Sequence, residues 1–398
     1  MPLDFTLTEE QKAIKELAHD FAVNEMRPHA SHFDETEEFP YDIVKKAHKI
    51  GLSPAAFIAE EYGGQGLDYL TELMLTEELS WGCAGIAVCI HSMGLAIAGI
   101  RSSGTEEQKK RWLPEFTNPD RLVIGGLGLT EPDSGSDALS MKTRAKRVGD
   151  GYVLNGTKQF CTNGGIADYH VIYAQTDPAK GPAGIASFLV PKGTAGLKMG
   201  RKEQKLGVRA SHTAQVILED CHIPLDHRLG GEPDDENAGP GALGALMTLE
   251  ATRPSVAAGA LGIARAAYEF ALDYAQERKQ FGKPIWQHEA VGFKLADMAM
   301  KIDAARLLIW RAGWMATQGK PFERAEGSMA KCFAADVAME VTTDAIQVLG
   351  GYGYIKEYPV EKWFRDAKIY QIWEGTAEIQ RLVISRAISG SRGTIRLK

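Results

Sequence analysis

Apolar positions fall into two blocks of helical spacing separated by one block of short runs. After Thr8-Glu9-Glu10-Gln11, residues Ile14, Leu17, Ala18 and Phe21 share one helix face. The four preceding residues form a capping box, in which Thr caps the backbone and Gln reaches back. Thr105-Glu106-Glu107-Gln108 repeats that signature, and Gly63-Gly64-Gln65-Gly66 predicts a loop between them. The texture changes near Val123. From there to about Pro224 the apolar runs are short, at 152–154, 169–174, 185–190 and 214–218. Gly149-Asp150-Gly151 and Asn155-Gly156 separate runs, a pattern that predicts an antiparallel β-domain. Residues 232–244 are acidic and Gly-rich, contain Pro233 and Pro240, and read as a linker. Helical spacing then returns over 246–277, 285–318 and 322–349, and again after Thr376. Ala257, Ala258, Gly259, Ala260 and Gly262 permit close helix approach, and the short connections predict an antiparallel bundle. The expected architecture is α+β multidomain. Residues 1–122 form an N-terminal α-helical domain, 123–235 a middle antiparallel β-domain, and 236–398 a C-terminal four-helix bundle.

Composition adds exclusions. The 398 residues carry a net charge of −7, which opposes nucleic acid or an anionic membrane as partner. Cys83, Cys89, Cys161, Cys221 and Cys332 are scattered without a Cys-x-x-Cys pair, so buried free thiols in a reducing compartment are expected. Met1-Pro2-Leu3-Asp4 has neither the basic nor the apolar region of a signal peptide. The expected location is cytoplasmic, in a bacterium, or the mitochondrial matrix after removal of a targeting segment. The apolar stretches 82–90 and 256–267 are too short to span a membrane and read as close-packed buried helices. Gly239-Pro240-Gly241-Ala242-Leu243-Gly244 has Gly-x-Gly-x-x-Gly spacing, but it follows a linker rather than a strand and does not read as a Rossmann site. His29 and His32 lack a third ligand, so no metal site is expected.

The candidate chemistry lies near the C-terminus. Glu374 stands between the apolar Ile372-Trp373 pair and Gly375-Thr376, where Gly375 predicts a turn and Thr376 a helix N-cap. A carboxylate among apolar neighbours has its pKa raised by desolvation, which suits it to accept a proton near neutrality. The surrounding stretch, residues 368–381, with Tyr358-Pro359-Val360-Glu361-Lys362 and Arg365-Asp366-Ala367-Lys368, resembles the active-site segment of the acyl-CoA dehydrogenase family. The order helices, strands, helices matches that family's fold, and the resemblance covers essentially the whole chain.

The resemblance implies roles. Glu374 would abstract the α-proton of an acyl-CoA thioester while the β-hydride passes to FAD, giving a trans-2-enoyl-CoA. Leu129-Thr130-Glu131-Pro132-Asp133-Ser134-Gly135-Ser136-Asp137 resembles a family flavin signature. By that likeness Leu127, Leu129 and Thr130 serve the flavin, and Ser136 contacts both the FAD pyrophosphate and the CoA. Asp133-Ser134 departs from the more common Gly-Ala. Phe160 and Thr162 match an aromatic that covers the ring and a Thr that bonds near N5. Arg278, Gln280, Phe281, Ile285 and His288 match a loop that reaches a neighbouring subunit's FAD. Gln347 and Gly351 match contacts to its adenosine half, and Thr376 and Glu378 are further cofactor contacts. Glu250, Arg253 and Gly375 would face the acyl-CoA. Isovaleryl- and long-chain-type members carry their base immediately before the Arg. Here that position is Thr252, so the base is placed as in short- and medium-chain members.

The partners implied are an acyl-CoA, an electron-transfer flavoprotein, and further copies of the chain in a homotetramer built as a dimer of dimers. Three other readings stay open: an acyl-CoA oxidase, a nitroalkane-oxidase-like enzyme, and a non-catalytic scaffold. Glu374 argues against the second, which would carry Asp, and retention of the flavin-loop matches argues against the third. Ala87, His91 and Trp373 alter the acyl pocket without defining a chain length.

Overall fold

The computed structural model describes residues 5–232 and 242–390. The first helical block contains α1 (Glu9–Phe21), α2 (Ala30–Thr36), α3 (Tyr41–Lys49), α4 (Tyr69–His91), α5 (Gly94–Ser103) and α6 (Glu106–Trp112). Both expected capping boxes close, on Thr8 with Gln11 and on Thr105 with Gln108. The strands follow as β1 (Gly125–Gly128), β2 (Arg144–Val148), β3 (Gly151–Thr162), β4 (Tyr169–Gln175), β5 (Ile185–Pro191), β6 (Leu197–Lys202) and β7 (Thr213–Pro224). The last block holds α7 (Ala242–Glu277), a small ladder of β8 (Lys279–Gln280) and β9 (Lys283–Pro284), then α8 (Glu289–Thr317), α9 (Glu326–Leu349), α10 (Val360–Ala367) and α11 (Ala377–Ile388).

The sheet runs β1-β4-β2-β3-β7-β6, with β5 paired to β4. Its pairings β2–β3, β3–β7, β4–β5 and β6–β7 are antiparallel, as the short alternating runs imply. The expectation of a wholly antiparallel sheet needs one correction: β1 lies parallel to β4, with Gly125 opposite Tyr169, and β2 touches β4 in parallel. The β2–β3 hairpin lies between β1 and β4 in the chain, so the connection is long enough for a parallel return. Gly149-Asp150 is the turn of that hairpin. Asn155-Gly156 is no turn but an irregularity inside β3, where the register to β7 shifts and Asn155 exchanges hydrogen bonds with Asp220.

Further boundaries move. Helix α8 starts at Glu289 rather than 285, because a 3₁₀ turn over Ile285–Gln287 follows Pro284. Helix α9 starts at Glu326, after Ala325 in the left-handed region. Of the expected linker, residues 242–244 belong to α7, and 233–241 lie outside the described residues. The Gly-x-Gly-x-x-Gly stretch is divided in the same way, with 239–241 outside the described residues and 242–244 in α7.

Helices α1, α4, α7, α8, α9 and α10 share one buried core. Gly262 of α7 lies against α4, where a Cβ would come within 2.3 Å of the Glu77 carbonyl oxygen, so only glycine allows this crossing. Two buried acids of α4 are paired across that contact. Arg265 bonds Glu77 and Glu78, and Arg306 bonds Glu77. Helix α4 corrects the membrane argument. At 23 residues it is long and apolar enough to cross a bilayer by composition, but 94% of its apolar window is buried inside the protein. Asp366 of α10 accepts the Val208 N–H at 2.6 Å, and Arg365 pairs with Asp34 at 2.7 Å, which fixes the segment before Glu374 against the rest of the chain. All five cysteines are free and buried.

Candidate active site

Glu374 sits on the turn between α10 and α11 with φ +54°, followed by Gly375 at +88°. A bulky residue in the left-handed region is strained and persists only where its surroundings hold it. Those surroundings are visible. The side-chain amide of Gln380 donates to the Glu374 carbonyl (3.2 Å) and the Gly375 carbonyl (2.8 Å). Lys331, fully buried on α9, donates to the same Gly375 carbonyl at 2.8 Å. Thr376 caps α11 through the Ile379 N–H, as its position before the helix predicts. A Cβ at Gly375 would meet the Gln380 amide at 2.6 Å. The Glu374 N–H has no acceptor among the described residues.

The Glu374 carboxyl is half-buried, and burial pushes its pKa above the usual carboxylate range. A hydrogen bond from Thr252 Oγ1 to Oε2 (3.0 Å) and the charges of Arg253 and Lys331 oppose that shift without cancelling it. Burial also depresses the Lys331 ammonium to about 8, against the pull of Glu374.

Thr252 and Arg253 follow Glu250 on α7. Arg253 is buried and bonds both Glu250 Oε2 and Ser328 Oγ (2.9 Å), while Ser328 donates to Glu250 at 3.2 Å. Glu250, Arg253 and Ser328 thus form a triad between α7 and α9. Glu250 Oε1 and Arg253 Nε are buried and have no partner among the described residues. Pro254 in the helix removes the N–H that would close on the Glu250 carbonyl.

The other predicted residues form two further groups. Leu127 lies in β1, with Leu129 and Thr130 just beyond it, and Phe160 and Thr162 end β3. These are held together by the Gln159 N–H donating to the Thr130 carbonyl (2.8 Å). The fully buried Lys158 bonds the Leu129 carbonyl (3.1 Å) and pairs with Glu131 at 2.8 Å. Phe160 has φ +55° and is 63% exposed, an apolar ring without a protein cover. Ser136 is exposed in the following loop. The second group is a cleft of about 750 Å³ lined by Arg278, Gln280, Phe281, Ile285, His288 and Gly351, among others. Phe281 is 95% exposed, and the Arg278 guanidinium stands 5.6 Å from the Tyr352 ring centre. Gln347 is exposed at the end of α9, and Glu378 is exposed in the first turn of α11, where its own N–H and Thr376 hold its pKa low. Among the described residues no cluster of His, Cys, Asp or Glu suits a metal ion.

The structure thus brings Glu250, Arg253, Glu374, Gly375 and Thr376 together. It separates them from Arg278 by the remaining length of α7, roughly 37 Å at about 1.5 Å per residue. Sequence reasoning missed Thr252 as a hydrogen-bond donor to Glu374, and it missed Ser328, Lys331 and Gln380. Thr252 was legible as the residue immediately before Arg253; the other three carry no local signal, because only packing brings them to the turn.

Three families of domains match the chain: Acyl-CoA dehydrogenase, N-terminal domain over residues 8–120, middle domain over 126–221 and C-terminal domain over 239–389. The chain is 44% identical over 388 residues to the short-chain specific acyl-CoA dehydrogenase of Clostridium acetobutylicum, covering 97% of this chain and 100% of that one. It superposes on butyryl-CoA dehydrogenase from Megasphaera elsdenii with a TM-score of 0.91 at 40% identity, over 97% and 100% of the two chains. A chain in the structure described as the electron transferring flavoprotein of Acidaminococcus fermentans gives 0.91 at 42% identity, over 97% and 99%. With three successive domain matches and relatives aligned from end to end, this chain belongs to the acyl-CoA dehydrogenase family.

Proposed function

We propose that the chain is an FAD-dependent dehydrogenase of acyl-CoA thioesters with Glu374 as the base that removes the α-proton. The observation that carries the reading is the Glu374 carboxyl itself: desolvated, with a raised pKa, and held by Thr252 on a strained turn beside Arg253. Such a group takes a proton at neutral pH more readily than an ordinary carboxylate. The Glu374 N–H, without an acceptor of its own, is available to the thioester carbonyl, where it would stabilise the charge that develops as the proton leaves. Gln380 and Lys331 fix the turn beyond it by holding the carbonyls of the next two peptides, those of Glu374 and Gly375.

The residues fit a flavin dinucleotide. Phe160 and Phe281 offer largely exposed aromatic faces at positive φ, and Arg278 offers an exposed guanidinium at the rim of an open cleft. When bound, the flavin supplies the acceptor of the β-hydride. Leu127, Leu129, Thr130, Phe160 and Thr162 are read as its ring contacts, and Ser136 and Arg278 as pyrophosphate contacts. The length of α7 between Arg253 and Arg278 supports a cleft that completes the site of a neighbouring copy, and with it a homotetramer. An electron-transfer flavoprotein as acceptor is supported by the likeness to the Acidaminococcus chain, and a short acyl group by the Clostridium and Megasphaera relatives.

The test is product formation from butyryl-CoA with an artificial electron acceptor. The reading predicts a trans-2-enoyl-CoA and no stoichiometric peroxide in air. Peroxide equal to product would favour an oxidase, and absence of any enoyl product from short, medium or branched acyl-CoAs would contradict the reading.

A further inference from the structure

Strand β3 turns Tyr152, Leu154, Lys158 and Cys161 inward, so a lysine occupies one of the slots that its neighbours fill with core side chains. Its stem lies across Gly128 of β1, where a Cβ would come 3.0 Å from Lys158 Cγ, and none of its side chain reaches solvent. Three contacts place the ammonium: the Leu129 carbonyl at 3.1 Å, Glu131 Oε1 at 2.8 Å and Met141 Sδ at 3.9 Å. Glu131 is buried as well and has a second set of partners. Its carboxylate accepts the Lys142 N–H (2.5 Å) and the Thr143 N–H (2.9 Å), just before β2 begins. One ion pair therefore ties the end of β1 to the approach to β2 and closes the loop 131–143, on which Ser136 lies. Within that loop Glu131 and Ser134 exchange backbone hydrogen bonds, and Ser134 Oγ donates to the Asp137 carbonyl at 2.6 Å.

The same lysine stands two residues before Phe160. Between Lys158 and Cys161 the register of β3 against β7 shifts, and this irregularity carries Phe160 at φ +55°. The Lys158 ammonium holds the Leu129 carbonyl, and the Gln159 N–H holds the Thr130 carbonyl at 2.8 Å. Two successive residues of β3 thus lock two successive residues beyond β1, and the aromatic that follows is fixed relative to both. Burying two charges is a poor way to gain stability. Desolvation offsets their attraction, and apolar side chains of similar volume often serve a core as well or better. What the pair supplies is a single geometry. An apolar residue at position 158 would fill the slot but hold neither the Leu129 carbonyl nor Glu131.

We infer that Lys158 and Glu131 are positioning residues for the flavin, their ion pair holding the backbone at Leu129 and Thr130 against Phe160 and closing the loop that presents Ser136. This rests on the dehydrogenase reading above and deepens it. Both side chains are buried, so they act through the backbone they hold. Because one pair fixes both segments, its loss should loosen the ring contacts and the pyrophosphate contact together. Flavin binding should weaken, and the surroundings of the bound ring should change.

The experiment compares the FAD-loaded parent with Lys158→Met, Glu131→Gln and the double variant Lys158→Met/Glu131→Gln. Each single variant leaves one buried charge unpaired and should melt earlier. The double variant removes both charges at nearly constant volume and should regain much of the melting temperature. FAD affinity is read from flavin fluorescence on dilution, and the ring's surroundings from the visible circular dichroism of the bound flavin, both well below the melting temperature. In the double variant FAD should bind about 10- to 100-fold more weakly than in the parent, the range of one hydrogen bond to a charged group. The dichroism of the flavin still bound should also change. A pair that serves stability alone gives a different result: the single variants melt earlier, the double variant recovers, and the flavin is unaffected. An FAD affinity within about 3-fold of the parent's, well under one such bond, or an unchanged dichroism spectrum in the double variant, overturns the inference. If the parent binds FAD and is bleached by butyryl-CoA while the double variant matches it in affinity and dichroism, this inference fails alone. If the parent binds no FAD, the dehydrogenase reading fails and takes this one with it.

Discussion

Thr252 Oγ1 donates to Glu374 Oε2 at 3.0 Å, across the gap between α7 and the turn before α11. The bond stabilises the charged form of a carboxyl whose burial favours the neutral one. A base acts only when deprotonated, so activity rises with pH through the Glu374 pKa. Thr252→Val removes the donor at nearly constant volume and should move the acid limb of the kcat profile to higher pH, while Thr252→Ser should restore it. A limb that stays in place in Thr252→Val would mean that the bond does not tune the base.

Lys331 reaches the same turn from α9. Its ammonium holds the Gly375 carbonyl at 2.8 Å and lowers the Glu374 pKa through its charge. Lys331→Met keeps the length of the side chain and loses both effects. The acid limb should again rise, and kcat should fall by about 5-fold, the size of one lost hydrogen bond of about 1 kcal/mol at the turn. Unchanged kcat with a lowered melting temperature would assign Lys331 to stability alone.

Glu72 makes stability depend on pH in a definite direction. Its folded pKa of about 7 lies above the ordinary carboxylate value of 4.5, so between these values the folded chain binds the extra proton. The contribution is fully present below about 4.5 and is lost as pH rises through about 7. Tyr69, Arg101 and Ser255 surround the group and are unchanged in Glu72→Gln. The melting temperature of Glu72→Gln relative to the parent should therefore rise between pH 5 and pH 8. A difference that is flat across that range would place Glu72 in an ordinary aqueous environment.

Arg278 is exposed at the cleft and far along α7 from Arg253. If it completes a neighbouring copy's flavin site, cofactor binding and assembly are linked by mass action. Arg278→Ala should lose flavin on dilution and dissociate, and added FAD should reverse both. Light scattering and flavin content over a dilution series decide it; retained flavin with a concentration-independent mass would exclude the shared site.

The sequence made local features legible. Both capping boxes, the Thr376 cap, the Gly149-Asp150 turn and the turn carrying Glu374 are encoded within a few residues, and each formed as expected. The runs at 169–174 and 185–190 are apolar on both faces and were found as β4 and β5. Strand β1 is Gly125-Gly126-Leu127-Gly128 and β2 is mostly charged; neither has an apolar run, because their neighbours rather than their own side chains fix them. The parallel pairing of β1 with β4 is equally non-local. At the site, Glu374 and Arg253 were legible through motifs. Lys331, Ser328 and Gln380 were not, since a lysine or glutamine inside a helix reads as solvated until packing turns it inward. Glu72 was hidden for the same reason, in a helix whose other acids are paired.

In the proposed reaction Glu374 takes the proton. Glu374→Gln preserves volume and leaves Thr252, Lys331 and Gln380 in place, but removes the base. Rapid anaerobic mixing of flavin-loaded enzyme with butyryl-CoA measures the chemical step as loss of flavin absorbance. Glu374→Gln should remain yellow, still bind the thioester, and bleach at least ~10²-fold more slowly than the parent. Bleaching at a near-normal rate would contradict it.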